Sequence, residues 1–83
     1  MRLIFRDEAL KRLKKIGPSE SRKIQKKIEY LKAHPLAGKP LKGIYEGKYS
    51  LKVWPIRILY TFDPDTQTVT IQTIDYRGDV YKR

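Results

Sequence analysis

Four residues in the second half of the chain are of types that can act on a phosphate: Lys52, Arg57, Arg77 and Tyr81. They lie on or just beyond a meander of strand-like segments running from Leu41 to Tyr81. Cations and a phenol held on a rigid sheet can bind a phosphate and stabilise charge developing on it. Arginine suits this task because its planar fork matches phosphate oxygens and stays charged. A lysine can serve as general base when neighbouring cations favour its neutral form. The segment therefore points to phosphate chemistry of the kind RNA undergoes.

Other chemistries find less support. One histidine and no cysteine cannot make an ordinary zinc site, a Cys-His pair or a disulfide framework. His34 falls at the end of a helical pattern, where the helix dipole favours an imidazole. The five glycines are dispersed, so no glycine-rich phosphate loop exists. Asp63 and Asp65 belong to a turn, and Asp75 and Asp79 are placed to orient nearby arginines. No metal and no cofactor is expected.

The elements that must position these residues follow from periodicity. Arg2 to Phe5 reads as a first strand. Asp7 is expected to cap a helix with apolar positions Ala9, Leu10, Leu13 and Ile16. Gly17 suits its C-terminal stop and Pro18 opposes continuation, so Ser19 is expected to cap a second helix reaching about Ala33. That helix carries Ile24, Ile28 and Leu31 as an apolar stripe and Lys23, Lys26 and Lys27 among its exposed cations. Two antiparallel helices packed as a hairpin are the natural result.

Pro35 ends the helix at His34, and residues 34–40 read as a loop. The period then becomes two. A short Ile44–Tyr45 strand and a Glu46-Gly47-Lys48 turn lead into Tyr49, Leu51 and Val53, which alternate with Ser50, Lys52 and Trp54. Ile58, Tyr60 and Phe62 alternate with Arg57, Leu59 and Thr61. Asp63-Pro64-Asp65-Thr66 is a turn, and Thr68 to Tyr76 is a β-branched, aromatic strand. The order implies an α+β fold, with an N-terminal strand, a helical hairpin and a curled antiparallel sheet of three to four strands. If Tyr49, Leu51 and Val53 face the helices, Lys52 faces outward and Arg57 joins it.

Eighty-three residues suffice for one small domain, 1–83, and not for two. A net charge of +10 favours a polyanionic partner, nucleic acid first. An acidic protein would answer the same field. Neither helix has the bulky apolar anchors of a membrane-surface helix, and no apolar run is long enough for a signal peptide or a membrane span. A soluble, cytoplasmic protein is expected.

The segments PLKGIYEGKYSLKV, IRILYTFD and IDYRGDVY resemble the RelE/ParE toxin superfamily, in its leucine-lysine-glycine entry, its arginine-aliphatic-aliphatic-tyrosine strand and its terminal arginine and valine-tyrosine. With the N-terminal strand and the basic helices, the resemblance spans essentially the whole chain. The RelE branch consists of toxins that cleave mRNA in the ribosomal (30S) A site and are neutralised by a cognate antitoxin. The resemblance implies metal-free cleavage, in which the ribose 2′-OH attacks the adjacent phosphate. It places Lys52 beside the scissile phosphate, with Arg57 and Arg77 as the family arginines. Tyr81 falls on the C-terminal tyrosine that stacks a base or orients the nucleophile.

Two departures from the family pattern stand out. Ser50 occupies a position that is basic in RelE proper and often assigned to proton abstraction, and Tyr76 stands where many relatives have histidine or lysine. The general base is therefore open among Lys52, Lys48 and Tyr76, with Lys52 preferred. Ser50, Lys48, Tyr76, Trp54, Lys23, Lys26 and Lys27 are taken as RNA contacts. For Trp54, packing over the sheet is the favoured alternative. A ParE-like toxin that poisons DNA gyrase, and a basic RNA-binding module without catalysis, are the competing functions.

Overall fold

The computed structural model of the protein describes residues 1–76. Alternating exposure along β1 (Arg2–Phe5) turns Leu3 and Phe5 towards the core. Arg6 keeps extended backbone and donates its N–H to the Ile71 carbonyl at 3.1 Å, while its own carbonyl accepts from the Leu10 N–H at 3.0 Å, so the helix begins one residue earlier than expected. Arg6, rather than Asp7, is thus the N-cap of α1 (Asp7–Lys15). Asp7 and Glu8 instead lie in its first turn and Arg12, Lys14 and Lys15 in its last, complementing the helix dipole. Ala9 is buried, Leu13 and Ile16 pack at the core edge, and Leu10 is left exposed.

The junction between the helices also differs from expectation. Ile16 caps α1, Gly17 is the N-cap of α2 (Pro18–Ala33), and Pro18, rather than Ser19, opens it. Gly17 has φ −64°, so left-handed backbone is not what the site requires. Proline fits a first helical position because its fixed φ is helical and the missing N–H has no partner there anyway. Along α2, Ile24, Ile28 and Leu31 are buried, as their spacing predicts.

The sheet has five strands in the order β1-β5-β4-β3-β2. After the second helix come β2 (Lys39–Pro40), β3 (Tyr49–Val53), β4 (Ile56–Asp63) and β5 (Thr68–Tyr76). Residues 44–45, expected as a strand, fall in a 3₁₀ turn (Gly43–Tyr45) because Gly43 holds a φ of +69°. The short strand lies instead at Lys39–Pro40, inside the expected loop, paired with Ser50 and Tyr49. β1 runs parallel to β5, and the remaining neighbours are antiparallel. In the β4–β5 ladder Leu59 faces Thr73 but Tyr60 faces Ile71, so Gln72 is an extra residue on β5. This bulge lets Ile71 and Ile74, three apart, both enter the core.

One face of the sheet meets the helices. Leu51, Val53, Ile56, Ile58, Tyr60 and Val69 build the core with Ile24, Ile28 and Leu31. Tyr60 is fully buried, stacks on Tyr49 at 5.4 Å, and has its hydroxyl tied to the loop after α2. The hydroxyl donates to the Pro35 carbonyl at 2.9 Å and accepts from the Gly38 N–H at 2.8 Å. A Cβ on Gly38 would lie 2.7 Å from that oxygen and 3.1 Å from the Ser50 carbonyl. Burial pushes the phenol above its ordinary value, an effect opposed by the Gly38 hydrogen bond and reinforced slightly by Tyr49.

Two expectations follow. Gly38→Ala should lower stability by about 1–3 kcal/mol, because the methyl displaces either the phenol or the β2–β3 backbone; thermal denaturation with near-ultraviolet circular dichroism checks this. The Tyr60 contribution should be intact below pH 10, where the unfolded phenol is still protonated, and decline as pH rises through the higher folded value. Stability measured across that range should therefore fall less steeply in Tyr60→Phe than in wild type.

Candidate functional site

The sheet face turned away from the helices carries the cationic residues. Lys52 on β3 and Arg57 on β4 are direct cross-strand partners, which places their Cβ atoms about 4.5–5.5 Å apart. Leu51 and Ile58, one step away on each strand, point into the core, so strand alternation directs Lys52 and Arg57 to the opposite face. Lys52 is exposed and Arg57 half-buried. Both line an open cleft of ≈ 390 Å³ with Lys39, Ser50 and Ala37.

Asp75 continues the same row, paired with Arg57 in the β4–β5 register. Its side chain is 5% exposed and accepts a hydrogen bond from Arg12 Nη1 at 2.6 Å. β5 continues past its last partner on β1, and α1 packs against it. Arg12 thus reaches a carboxylate lying beside Arg57. An ionised acid held among arginines lowers the local repulsion of the cluster and restrains the side chains around it.

The structure divides the other candidates into groups. Ser50 is buried and pairs with Leu59 on one side and Lys39 on the other. The serine at the departed position therefore has a lysine as its strand neighbour. Lys48 lies on the same open face, 5.9 Å from the Tyr45 ring, in a separate cleft with Arg6, Leu59 and Thr73. Tyr76 shares strand parity with core residue Ile74 and borders Ile16, so it projects from the face opposite Lys52 and Arg57. Trp54 is 67% exposed. The favoured packing role is corrected, because so exposed a residue at the β3–β4 turn covers little of the sheet. Lys23, Lys26 and Lys27 border a groove with Trp54 and Lys52. Arg77 and Tyr81 lie outside the described residues.

Sequence reasoning missed Lys39 and Arg12. Lys39 was hidden in a proline-containing loop with no strand period, and Arg12 is one of many helical cations, distinguished only by the tertiary position of Asp75. His34 caps α2, its ring lies 4.5 Å from that of Tyr30, and it does not line the Lys52–Arg57 cleft. Among the described residues, no group of three His, Cys, Asp or Glu side chains is arranged to hold a metal ion, and no helix is long and apolar enough to cross a membrane.

Comparison with known proteins places this geometry in a family. Residues 3–81 match the family model described as the ParE toxin of type II toxin–antitoxin system, parDE. Toxin RelG of Mycobacterium tuberculosis is 39% identical over 54 residues, 64% of this chain and 62% of that toxin, so the match spans less than two thirds of the relative's length. The toxin–antitoxin complex RelBE2 from the same organism contains a chain 31% identical, with a TM-score of 0.76 over 92% of this chain and 96% of that one. The intact Escherichia coli RelBE complex shares the fold at 19% identity, with a TM-score of 0.80 over 93% and 96% of the two chains. The α+β arrangement of an N-terminal strand, two helices and an antiparallel meander is RelE-like, and the chain belongs to the RelE/ParE toxin superfamily of type II toxin–antitoxin systems.

Proposed function

We propose that the protein, as a single toxin domain over residues 1–83, is a cytoplasmic, ribosome-dependent endoribonuclease that cleaves mRNA in the 30S A site. The observation that carries this reading is the direct pairing of Lys52 with Arg57 across an open cleft of the sheet. Arg57 suits the non-bridging oxygens of the phosphate, where charge builds as a fifth oxygen approaches phosphorus, and Lys52, one strand away, becomes a second cation there once it has taken the nucleophile's proton. The ribose 2′-oxygen forms the new bond to phosphorus and the bond to the 5′-oxygen breaks. This leaves a 2′,3′-cyclic phosphate and, after protonation, a 5′-hydroxyl end.

A base must take the 2′-proton and an acid must supply one to the leaving oxygen. Lys52 is assigned the first role. Lys39, strand neighbour of Ser50, restores a cation beside the position where RelE proper is basic. Arg77 and Tyr81 are assigned to charge relief and to orienting the nucleotide, on the resemblance of the terminal motif. A cognate antitoxin is the proposed protein partner, supported by similar folds solved as RelBE complexes.

The name of the matching family model favours one second reading, a ParE-like toxin acting on DNA gyrase. That function does not require the Lys52–Arg57 pair. Mapping mRNA ends on ribosomes separates the two. Wild type should cut within codons, and Lys52→Ala, Arg57→Ala and Arg77→Ala should each slow cutting roughly 10²–10³-fold. Lys39→Ala should also slow it. Undiminished toxicity of Arg57→Ala, with gyrase-dependent DNA breaks and no new mRNA ends, would sink the ribonuclease reading.

Asp75→Asn tests the support beneath the site. Removing the acid beside Arg12 should cost about 1–3 kcal/mol of stability, since Arg12 is 34% exposed and water can replace part of the interaction. As a positioning change, it should lower kcat for ribosome-bound mRNA more than it raises KM. Equal kcat in folded mutant and wild type would confine Asp75 to stability.

A further inference from the structure

Trp54 is the one tryptophan of the chain, and it stands 67% exposed at the β3–β4 turn. A singly exposed apolar side chain is ordinary, and Ile44 is more exposed still, so a role for the indole must come from what surrounds it. Its surroundings supply one. Trp54 and Val53 form one side of an open groove of ≈ 330 Å³, and Lys23, Lys26 and Lys27 of α2 form the other. The three lysines are spaced i, i+3 and i+4, which puts them on one helical face. No carboxylate lines this groove, and none of the three forms an ion pair with a described residue. Lys52 borders both this groove and the Lys39–Ser50–Arg57 cleft, so the two meet at that side chain.

We propose that Trp54, Lys23, Lys26 and Lys27 form a nucleotide subsite adjoining the Lys52–Arg57 cleft. There a base of single-stranded RNA stacks on the indole while neighbouring phosphates lie along α2. Every base presents a π-face, so an exposed aromatic beside a row of cations binds single strands with little sequence demand. An acidic peptide would satisfy the lysines but leave the indole face unmatched, which favours nucleic acid. The inference deepens the RNA reading of the adjoining cleft, but binding in the groove requires no cleavage.

The single tryptophan makes a direct test available. The whole protein is titrated with hexaadenylate, with an abasic ribose-phosphate of equal length and with a hexaglutamate peptide, and indole fluorescence is followed. Hexaadenylate should quench saturably and bind more tightly than the other two. By anisotropy of labelled hexaadenylate, Trp54→Ala should bind about 5- to 100-fold more weakly, with Trp54→Phe in between and circular dichroism confirming both folds. Replacing Lys23, Lys26 and Lys27 with serine should flatten the dependence of log K on log salt by about 2, near 0.7 per lost phosphate contact.

Equal affinity of Trp54→Ala and wild type, or equal binding of the abasic strand, overturns the subsite. So does quenching by hexaglutamate at equal affinity, which would make the groove a docking place for acidic protein. Ribosomal cleavage is scored separately. Quenching without cleavage keeps the subsite and removes the ribonuclease reading, whereas cleavage without quenching does the reverse.

Discussion

The hydroxyl of Tyr60 joins the two halves of this molecule. Its ring belongs to the core between sheet and helices, and its oxygen holds both the carbonyl of Pro35 and the N–H of Gly38. Those bonds fix the path of the chain as it leaves α2, which determines where β2 begins. β2 is only two residues long, so its own ladder could hardly select its register against Ser50 and Tyr49. The buried phenol does that by satisfying loop backbone groups that would otherwise face a dry interior. Lys39 and Ala37, lining the cleft, are consequences of the same clamp.

β4 shows how one strand serves both purposes. Arg57 and Leu59 point to the open face, while Ile58 and Tyr60 point to the core. The arginine-aliphatic-aliphatic-tyrosine motif thus combines a site residue with the anchor of the loop that borders the site. Substitution at either end acts on the same cleft by different routes: Arg57 through charge, Tyr60 through the position of the backbone.

Local pattern made much of this legible. The period of two in residues 49–62 correctly sent Leu51, Val53, Ile58 and Tyr60 inward, and so predicted Lys52 and Arg57 on a common face. The apolar spacing in α2 identified Ile24, Ile28 and Leu31. What escaped depended on long-range partners. The parallel β1–β5 pairing joins residues far apart in the chain. Arg12 gains its role from Asp75, 63 positions away. Local errors came from special backbone: Gly43 at positive φ turned an expected strand into a 3₁₀ turn, and Pro18, expected between the two helices, in fact begins the second.

The bulge at Gln72 divides β5 into two segments whose inside and outside are set independently. Thr68–Ile71 is held by β1, whereas Thr73–Tyr76 lies beyond β1, on the α1 side of the sheet, with β4 as its ladder partner. The extra residue reverses strand parity between them. It brings Ile74 inward and leaves Asp75 beside Arg57. Core composition in the first segment can therefore drift without rotating the acid away from the cleft. Straightening the ladder with Gln72 retained would exchange Ile74 and Asp75 across the sheet, placing a carboxylate in the core and an isoleucine among the cations. The site is thus buffered against substitution in the first segment of β5 and dependent on the irregularity at Gln72 staying in place.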